Sequence, residues 1–376
     1  MSSRLRINRR TALGLGLGIG LGAGAGVAAP LDAGNGGRMR CWEVGERTPG
    51  ALTLHRAERP IPVPGPGQVL LKVRATGINA VDVAALHGVI FKVGGPTLIP
   101  LQDNVSDVVA LGPGVTEFAP GDRVTTTLYI EWINGPWNSG YMRSMIGLGI
   151  DGFLTEYAVM PATTLVKVPA RFTNEEACTL AIAGLTSWRA LSVEAKLLPG
   201  ETVVTTGTGG VSTFGVQIAK MLGARVIVTS SSDAKLARMR ELGADVGINY
   251  RTTPDWPAEV LKATGGRGAD VVMNNVGWPE MMNSLRACGP NARLIHVGSG
   301  PPRADMTNWP NLTENNVWIK AFTMAGRNML GGFLAALEHT TLKPVVERVF
   351  DFDDAPEAVR FMETTDRIGK IVIRIS

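Results

Sequence analysis

The sequence predicts an α/β protein in which a β-rich, barrel-like segment precedes a doubly wound parallel sheet. Three observations predict it. Between residue 39 and about residue 168, short runs of β-type residues are separated by glycine and proline turns. After Pro169 the rhythm changes to strands alternating with helical patterns. Early in that second region, Gly207-Thr208-Gly209-Gly210-Val211-Ser212 follows a strand and opens a helix.

In the first region, residues 68–75 (QVLLKVRA) read as a strand led in by the turn-rich 62–67. A second strand over 105–111 ends at Gly112-Pro113-Gly114, and Gly121-Asp122-Arg123 turns into a third over 124–128. In the second region, strands are expected at 201–206, 225–230, 246–249, 269–273 and 293–297, with helices at 211–222 and 233–242. The tail, 345–376, returns to β character with Lys370-Ile371-Val372-Ile373-Arg374-Ile375. The resulting division is 39–168, 169–344 and 345–376, preceded by a distinct segment at 1–38.

That first segment has the layout of an export signal. Arg4, Arg6, Arg9 and Arg10 precede an apolar stretch over 12–29, and Gly26-Val27-Ala28 offers a small-residue cleavage site. Arg9-Arg10 followed by Thr11-Ala12-Leu13 resembles a twin-arginine signal, which implies the twin-arginine export machinery as a partner and a periplasmic or secreted location. Glycines at 14, 16, 18, 20 and 22 weaken any helix there, each by roughly 1 kcal/mol relative to alanine, which argues against a stable membrane span. The competing reading is a chain that starts at Met39 and stays cytoplasmic.

Composition narrows the function. With 376 residues, 45% hydrophobic and 19% charged, the chain can bury two cores. A net charge of +4 without a basic stripe interleaved with aromatics gives nucleic acid no footing. The three cysteines, Cys41, Cys178 and Cys288, form no CxxC pair, and the four histidines form no HxxxH or HExxH pattern. No local metal motif exists, and the cysteines read as small buried hydrophobes.

The glycine run carries the strongest chemistry. Gly207 permits the tight turn, Gly209 lets backbone approach a pyrophosphate, and the helix begun by Gly210 and Val211 offers N–H groups and the positive end of its dipole. Thr208 lies within the same cradle. Ser212 stands where the third glycine of GxGxxG would be. About 20 residues beyond the glycines, where NAD sites place a carboxylate on the ribose, this chain has Ser230-Ser231-Ser232 with Lys235 nearby. Hydroxyls and an ammonium accept a 2′-phosphate that a carboxylate would repel, so NADP(H) is the expected cofactor. The same serines also suit the cap of a helix beginning near Asp233.

These residues and their order resemble the medium-chain dehydrogenase/reductase family. The resemblance runs from Met39 to Ser376 and rests on six motifs. They are Gly77-Ile78-Asn79-Ala80-Val81-Asp82, Gly121-Asp122-Arg123-Val124, Leu185-Thr186-Ser187-Trp188, the 207–212 run, Leu242-Gly243-Ala244-Asp245 and Gly369-Lys370-Ile371-Val372. It implies a GroES-like β-barrel catalytic domain, a Rossmann domain and a C-terminal return to the first domain. Zinc-dependent members carry cysteine at the place of Asn79, a His-Glu pair at Gln102-Asp103 and another cysteine near Ile182. Amide and alkyl groups are not zinc donors, so a zinc-free, quinone-reductase-like member is expected.

By the same resemblance Tyr250 and Lys235 line the NADP phosphate region, while Gly277, Val297, Gly298 and Ser299 lie near the nicotinamide. The resemblance also implies a homodimer and brings Arg327 to the cofactor from the late Rossmann segment, the competing reading of Arg327 being a solvated surface arginine.

The expected reaction is NADPH-dependent reduction of a quinone, enone or related small carbonyl substrate, whose charge delocalises without a Lewis acid. Asn79 is expected to donate to the substrate oxygen or to hold a water that does, with Asp82 orienting that network. The competing reading of Asp82 is a helix cap. Tyr129, Trp132, Trp137 and Tyr141 either wall a pocket for a flat substrate or pack a loop, with Tyr129 and Tyr141 as candidate proton donors. A zinc-free alcohol/aldehyde oxidoreductase and a non-catalytic NADPH-binding protein are the alternatives.

Overall fold

The computed structural model describes residues 37–45, 54–88, 97–298, 312–364 and 367–375. The proposed export signal, apart from its last two residues, and Ser299 lie outside the described residues. No helix among the described residues is long and apolar enough to cross a membrane.

The second region forms a six-stranded parallel sheet. Its spatial order is Val246–Asn249, Arg225–Ser230, Thr202–Thr206, Ala269–Asn274, Cys288–His296 and Trp318–Ala321. Thus the first strand in the chain sits third, and the order reverses beside it, which opens a crevice at the strand ends. Alternate residues enter opposite cores, as the two-residue period of a strand requires. Val203, Val226, Val228, Val271 and Ile295 pack with Phe214, Ile218 and Phe333 on one face. Val204, Ile227, Val272 and Leu294 pack with Trp256, Val260 and Leu285 on the other. Both faces are therefore buried, which is why these strands are largely apolar along their length rather than alternating with polar residues.

The first region is organised by the long strand Gln68–Ile78. One edge pairs with Val105–Leu111; the other is shared by Tyr157–Pro161 along its first half and Lys370–Arg374 along its second. The chain's last strand thereby returns to the first lobe, with Ile371 opposite Ile78. The full sheet has seven strands, and the Arg38–Val44 and Leu54–Pro60 strands pair beside it. Val69, Leu71, Val73, Val124, Phe153 and Ile373 fill its core.

The tail is not wholly β: Ala355–Met362 is a helix whose inner face is Ala355, Ala358 and Val359. Leu185-Thr186-Ser187-Trp188 forms one α-helical turn flanked by π-helical segments, Leu180–Gly184 and Arg189–Glu194. Such wide turns are frequent at functional sites. Here the first of them carries Ile182, and the α-helical turn between them carries Ser187.

Candidate active site

The glycine turn needs its glycines for different reasons. Gly207 sits at φ +78°, in the left-handed region that side chains resist. Gly209 caps the helix Gly210–Met221 with no side-chain hydrogen bond, so the first helical N–H groups have no capping side chain. A Cβ on Gly209 would meet nothing within 4 Å, which leaves room for a ligand directly above the turn. A Cβ on Gly210 would instead lie 2.5 Å from Lys370 Cδ. Ser212 replaces the third glycine without loss of close packing, because its hydroxyl donates to Thr206 O at 2.9 Å and accepts from Asn275 Nδ2 at 2.9 Å. The turn is further tied by Ser187 Oγ donating to Val211 O, Thr208 Oγ1 donating to Arg367 O, and Gly369 N–H donating to Thr208 O.

At the end of the next strand Ser230 is buried and its hydroxyl has no partner among the described residues. Lys235 Nζ lies 3.0 Å from Ser231 Oγ, and Tyr250, 41% exposed, donates its backbone N–H to Ser230 O. The helix Asp233–Glu241 is capped at Ser232 without a side-chain bond, so Ser230 and Ser231 are not spent as caps. Asp233, in the helix's first turn, accepts from Asn249 Nδ2. The loops carrying Gly277, Val297 and Gly298 meet backbone to backbone: Val297 and Gly298 N–H both donate to Asn274 O. A Cβ on Gly298 would lie 2.4 Å from Val276 C. Asn274 and Asn275, which join these loops to the glycine turn, have no glycine-like signature and escape a sequence reading.

Asn79 stands where Gln68–Ile78 gives way to the helix Ala80–Leu86. Asp82 accepts from its backbone N–H at 2.8 Å, so the capping role of Asp82 is realised and it fixes Asn79 through the main chain. Burial pushes the Asp82 carboxyl up to about 7, the Asn79 N–H opposing and the Asp103 charge adding to the rise. The Asn79 amide has two partners that lie far away in the sequence. Its Nδ2 donates to Asp103 Oδ2 at 3.0 Å and its Oδ1 accepts from Lys370 Nζ at 2.6 Å. Lys370 also bonds Asp103 Oδ2 at 2.7 Å and Ile78 O at 2.8 Å, with Asp103 fully buried and Lys370 3% exposed. Burial raises the Asp103 carboxyl, against the pull of Lys370 and Asn79.

The neighbouring Gln102 amide is 1% exposed and has no partner among the described residues. Asn79, Gln102 and Ile182 offer two amides and an alkyl chain. Among the described residues no group of three or more His, Cys, Asp or Glu could hold a metal ion.

The four aromatics form one packed cluster. Tyr129 and Trp137 centroids are 4.8 Å apart, Trp132 and Trp137 5.1 Å, and Trp132 stacks on Tyr141 at 6.0 Å. Val81, Ile182 and Met324 belong to the same cluster, which sets it beside Asn79. The Tyr129 hydroxyl lies 2.8 Å from Thr323 Oγ1, and it makes no hydrogen bond to Asn79, Asp82 or Lys370. Burial raises its pKa. Arg327 donates to Leu165 O through Nε and Nη2, and its backbone N–H donates to Trp132 O; its side chain braces the two lobes.

Residues 65–170 match the model of the alcohol dehydrogenase GroES-like domain, and residues 210–339 that of the zinc-binding dehydrogenase family. A zinc-type alcohol dehydrogenase-like protein of Schizosaccharomyces pombe is 33% identical over 82% of this chain and 91% of its own length. An acryloyl-coenzyme A reductase of Metallosphaera sedula is 27% identical over 83% and 93%. A crystal structure described as an NAD-dependent alcohol dehydrogenase superposes with a TM-score of 0.83 at 32% identity, covering 90% of this chain and all of that one.

Proposed function

Since the chain belongs to the medium-chain dehydrogenase/reductase family, and is thus an oxidoreductase of nicotinamide chemistry, we propose that it uses NADPH to reduce an enone, quinone or related conjugated carbonyl without a metal ion. One observation carries the reading: an amide–carboxylate–ammonium group, Asn79, Asp103 and Lys370, joins the nucleotide turn to the catalytic lobe where zinc-using relatives place thiolate and imidazole. Zinc does not fit Asn79, Gln102 and Ile182, whereas the open space above Gly209 fits a pyrophosphate.

A bound reduced nicotinamide supplies the hydride. The chain's own part is to present the remaining N–H of Asn79 to the substrate oxygen and to wall the cleft with Val81, Ile182 and Met324. Hydrogen-bond donors suffice when negative charge spreads into an enolate rather than resting on one alkoxide oxygen. The acryloyl-coenzyme A reductase relative, whose name describes reduction of a conjugated thioester, supports this class.

NADPH is chosen over NADH on Ser230, Ser231 and Lys235, although one structural neighbour is named for NAD. Steady-state assays with both nucleotides against quinones, enones and aldehydes, with metal analysis of the same sample, test the reading. We expect NADPH to be preferred by at least about tenfold and no stoichiometric metal. A preference for NADH, or tight stoichiometric zinc, contradicts it. Export through the Arg9-Arg10 signal is part of the proposal; Arg9→Lys/Arg10→Lys should retain the protein in the cytoplasmic fraction.

A further inference from the structure

We propose that Lys370 is the positioning residue of this site: a strut between the nucleotide turn and Asn79 that decides which edge of the Asn79 amide meets the substrate. The proposal rests on the reduction reading above and concerns the same cleft.

The first argument is valence. An ammonium has three N–H donors and no acceptor. Lys370 directs them at Ile78 O, Asn79 Oδ1 and Asp103 Oδ2. Asn79 must therefore turn its carbonyl oxygen to Lys370, and its Nδ2 consequently faces the acceptor Asp103 Oδ2. Only one amide orientation satisfies both neighbours. Among the described residues it leaves the second N–H of Nδ2 uncommitted, the donor that a carbonyl substrate needs. With Lys370 and Asp103 both replaced, neither neighbour dictates the orientation, and a flipped amide, which presents an oxygen instead, becomes acceptable.

The second argument is space. The Lys370 stem runs between two glycines, one from each lobe. A Cβ on Gly210 would lie 2.5 Å from its Cδ and 3.3 Å from Ala183 Cβ; a Cβ on Gly77 would lie 3.2 Å from its Cε and 2.7 Å from Asp103 Oδ2. Gly369 completes the passage at φ +78°, its N–H held by Thr208 O. Three motifs far apart in the sequence, 77–79, 207–212 and 369–372, thus meet on one side chain. A salt bridge that only stabilised the core would need neither glycine nor the Asn79 contact.

The test compares three full-length variants: Lys370→Met/Asp103→Asn, Asn79→Ala and their combination. Removing Lys370 and Asp103 together avoids stranding a buried carboxylate. NADPH affinity is read by nucleotide fluorescence, and kcat with cyclohexenone. The paired variant and Asn79→Ala should each lose at least about tenfold in kcat, with the NADPH Kd within about threefold of the parent. The combination should lose no more than the worse of the two, because Lys370 acts through Asn79.

Losses that multiply, or a paired variant with parental kcat, overturn the proposal. Gly210→Ala crowds the stem while every charge remains, and its kcat loss should likewise vanish in the Asn79→Ala background; if it persists there, the strut is wrong. A crystal structure of the paired variant separates this proposal from the reduction reading. Asn79 should leave its present orientation, and an unmoved amide refutes the strut whether or not enones are reduced.

Discussion

Asn275 Nδ2 donates to Ser212 Oγ at 2.9 Å, and the same amide donates to Thr205 Oγ1 at 2.9 Å, so one side chain ties the glycine turn to the loop after the neighbouring strand. Ser212 is itself fully enclosed and donates to Thr206 O. The departure from GxGxxG is therefore a gained hydrogen bond rather than a defect. Ser212→Gly, which restores the glycine pattern, should destabilise the protein by about 1–3 kcal/mol, through the lost buried bonds and the added backbone freedom in a helix. Urea denaturation checks this; an unchanged midpoint would show the network to be dispensable.

Ser231→Asp places a carboxylate beside the position proposed for the 2′-phosphate. The KM for NADPH should rise by about tenfold or more, equivalent to ~1.4 kcal/mol, while that for NADH changes little. Equal effects on both nucleotides would remove Ser231 from the discrimination.

Asp82 gives the fold a pH dependence of calculable sign. Its carboxyl titrates near 7 in the folded chain and in the ordinary carboxylate range when unfolded. Between those values the folded state holds the extra proton, so this group's contribution is fully present below about pH 4 and is lost as pH rises through 7. Asp82→Asn can still accept from Asn79 N–H through its own oxygen. It should gain stability on the order of a few kcal/mol at pH 8 relative to the parent and little at pH 4. Parallel stability-versus-pH curves for the two proteins would contradict this.

The strand Trp318–Ala321 closes one edge of the six-stranded sheet and exposes all four residues, with Trp318 69% accessible. Among the described residues no strand pairs with this edge, and an unpaired edge carrying tryptophan is a template for pairing with another chain. If the chain forms the homodimer that the resemblance implies, this edge is its natural seam. Trp318→Lys should convert dimer to monomer in sedimentation velocity, and a parent protein already monomeric at micromolar concentration would refute the seam.

Much of the fold was readable because it is local. The strands Val105–Leu111, Arg225–Ser230 and Val246–Asn249 have the bounds their patterns predict, since apolar runs end at glycine, serine or asparagine. The helix Ala355–Met362 was hidden in a tail read as β, because its buried face is mostly alanine. In the site, the glycine turn and Asn79 could be named from the sequence. Lys370 could be seen as part of a motif but not as a site residue, since its partner Asn79 lies 291 positions away. Aromatic residues at 129, 132, 137 and 141 look alike whether they wall a pocket or pack one another; only the centroid distances show that they pack. Arg327 has no sequence signal that could reveal its attachment to Leu165 O.

The most direct measurement follows a deuterium label. Metal-stripped protein is given NADPH deuterated at the transferable position and cyclohexenone, and the product is analysed by mass and NMR. Reduction through the Asn79 amide predicts cyclohexanone with deuterium on the former β-carbon, formed as fast as by protein that has not been metal-stripped. Deuterium on a carbinol carbon, or turnover that returns only when zinc is added, would contradict the account.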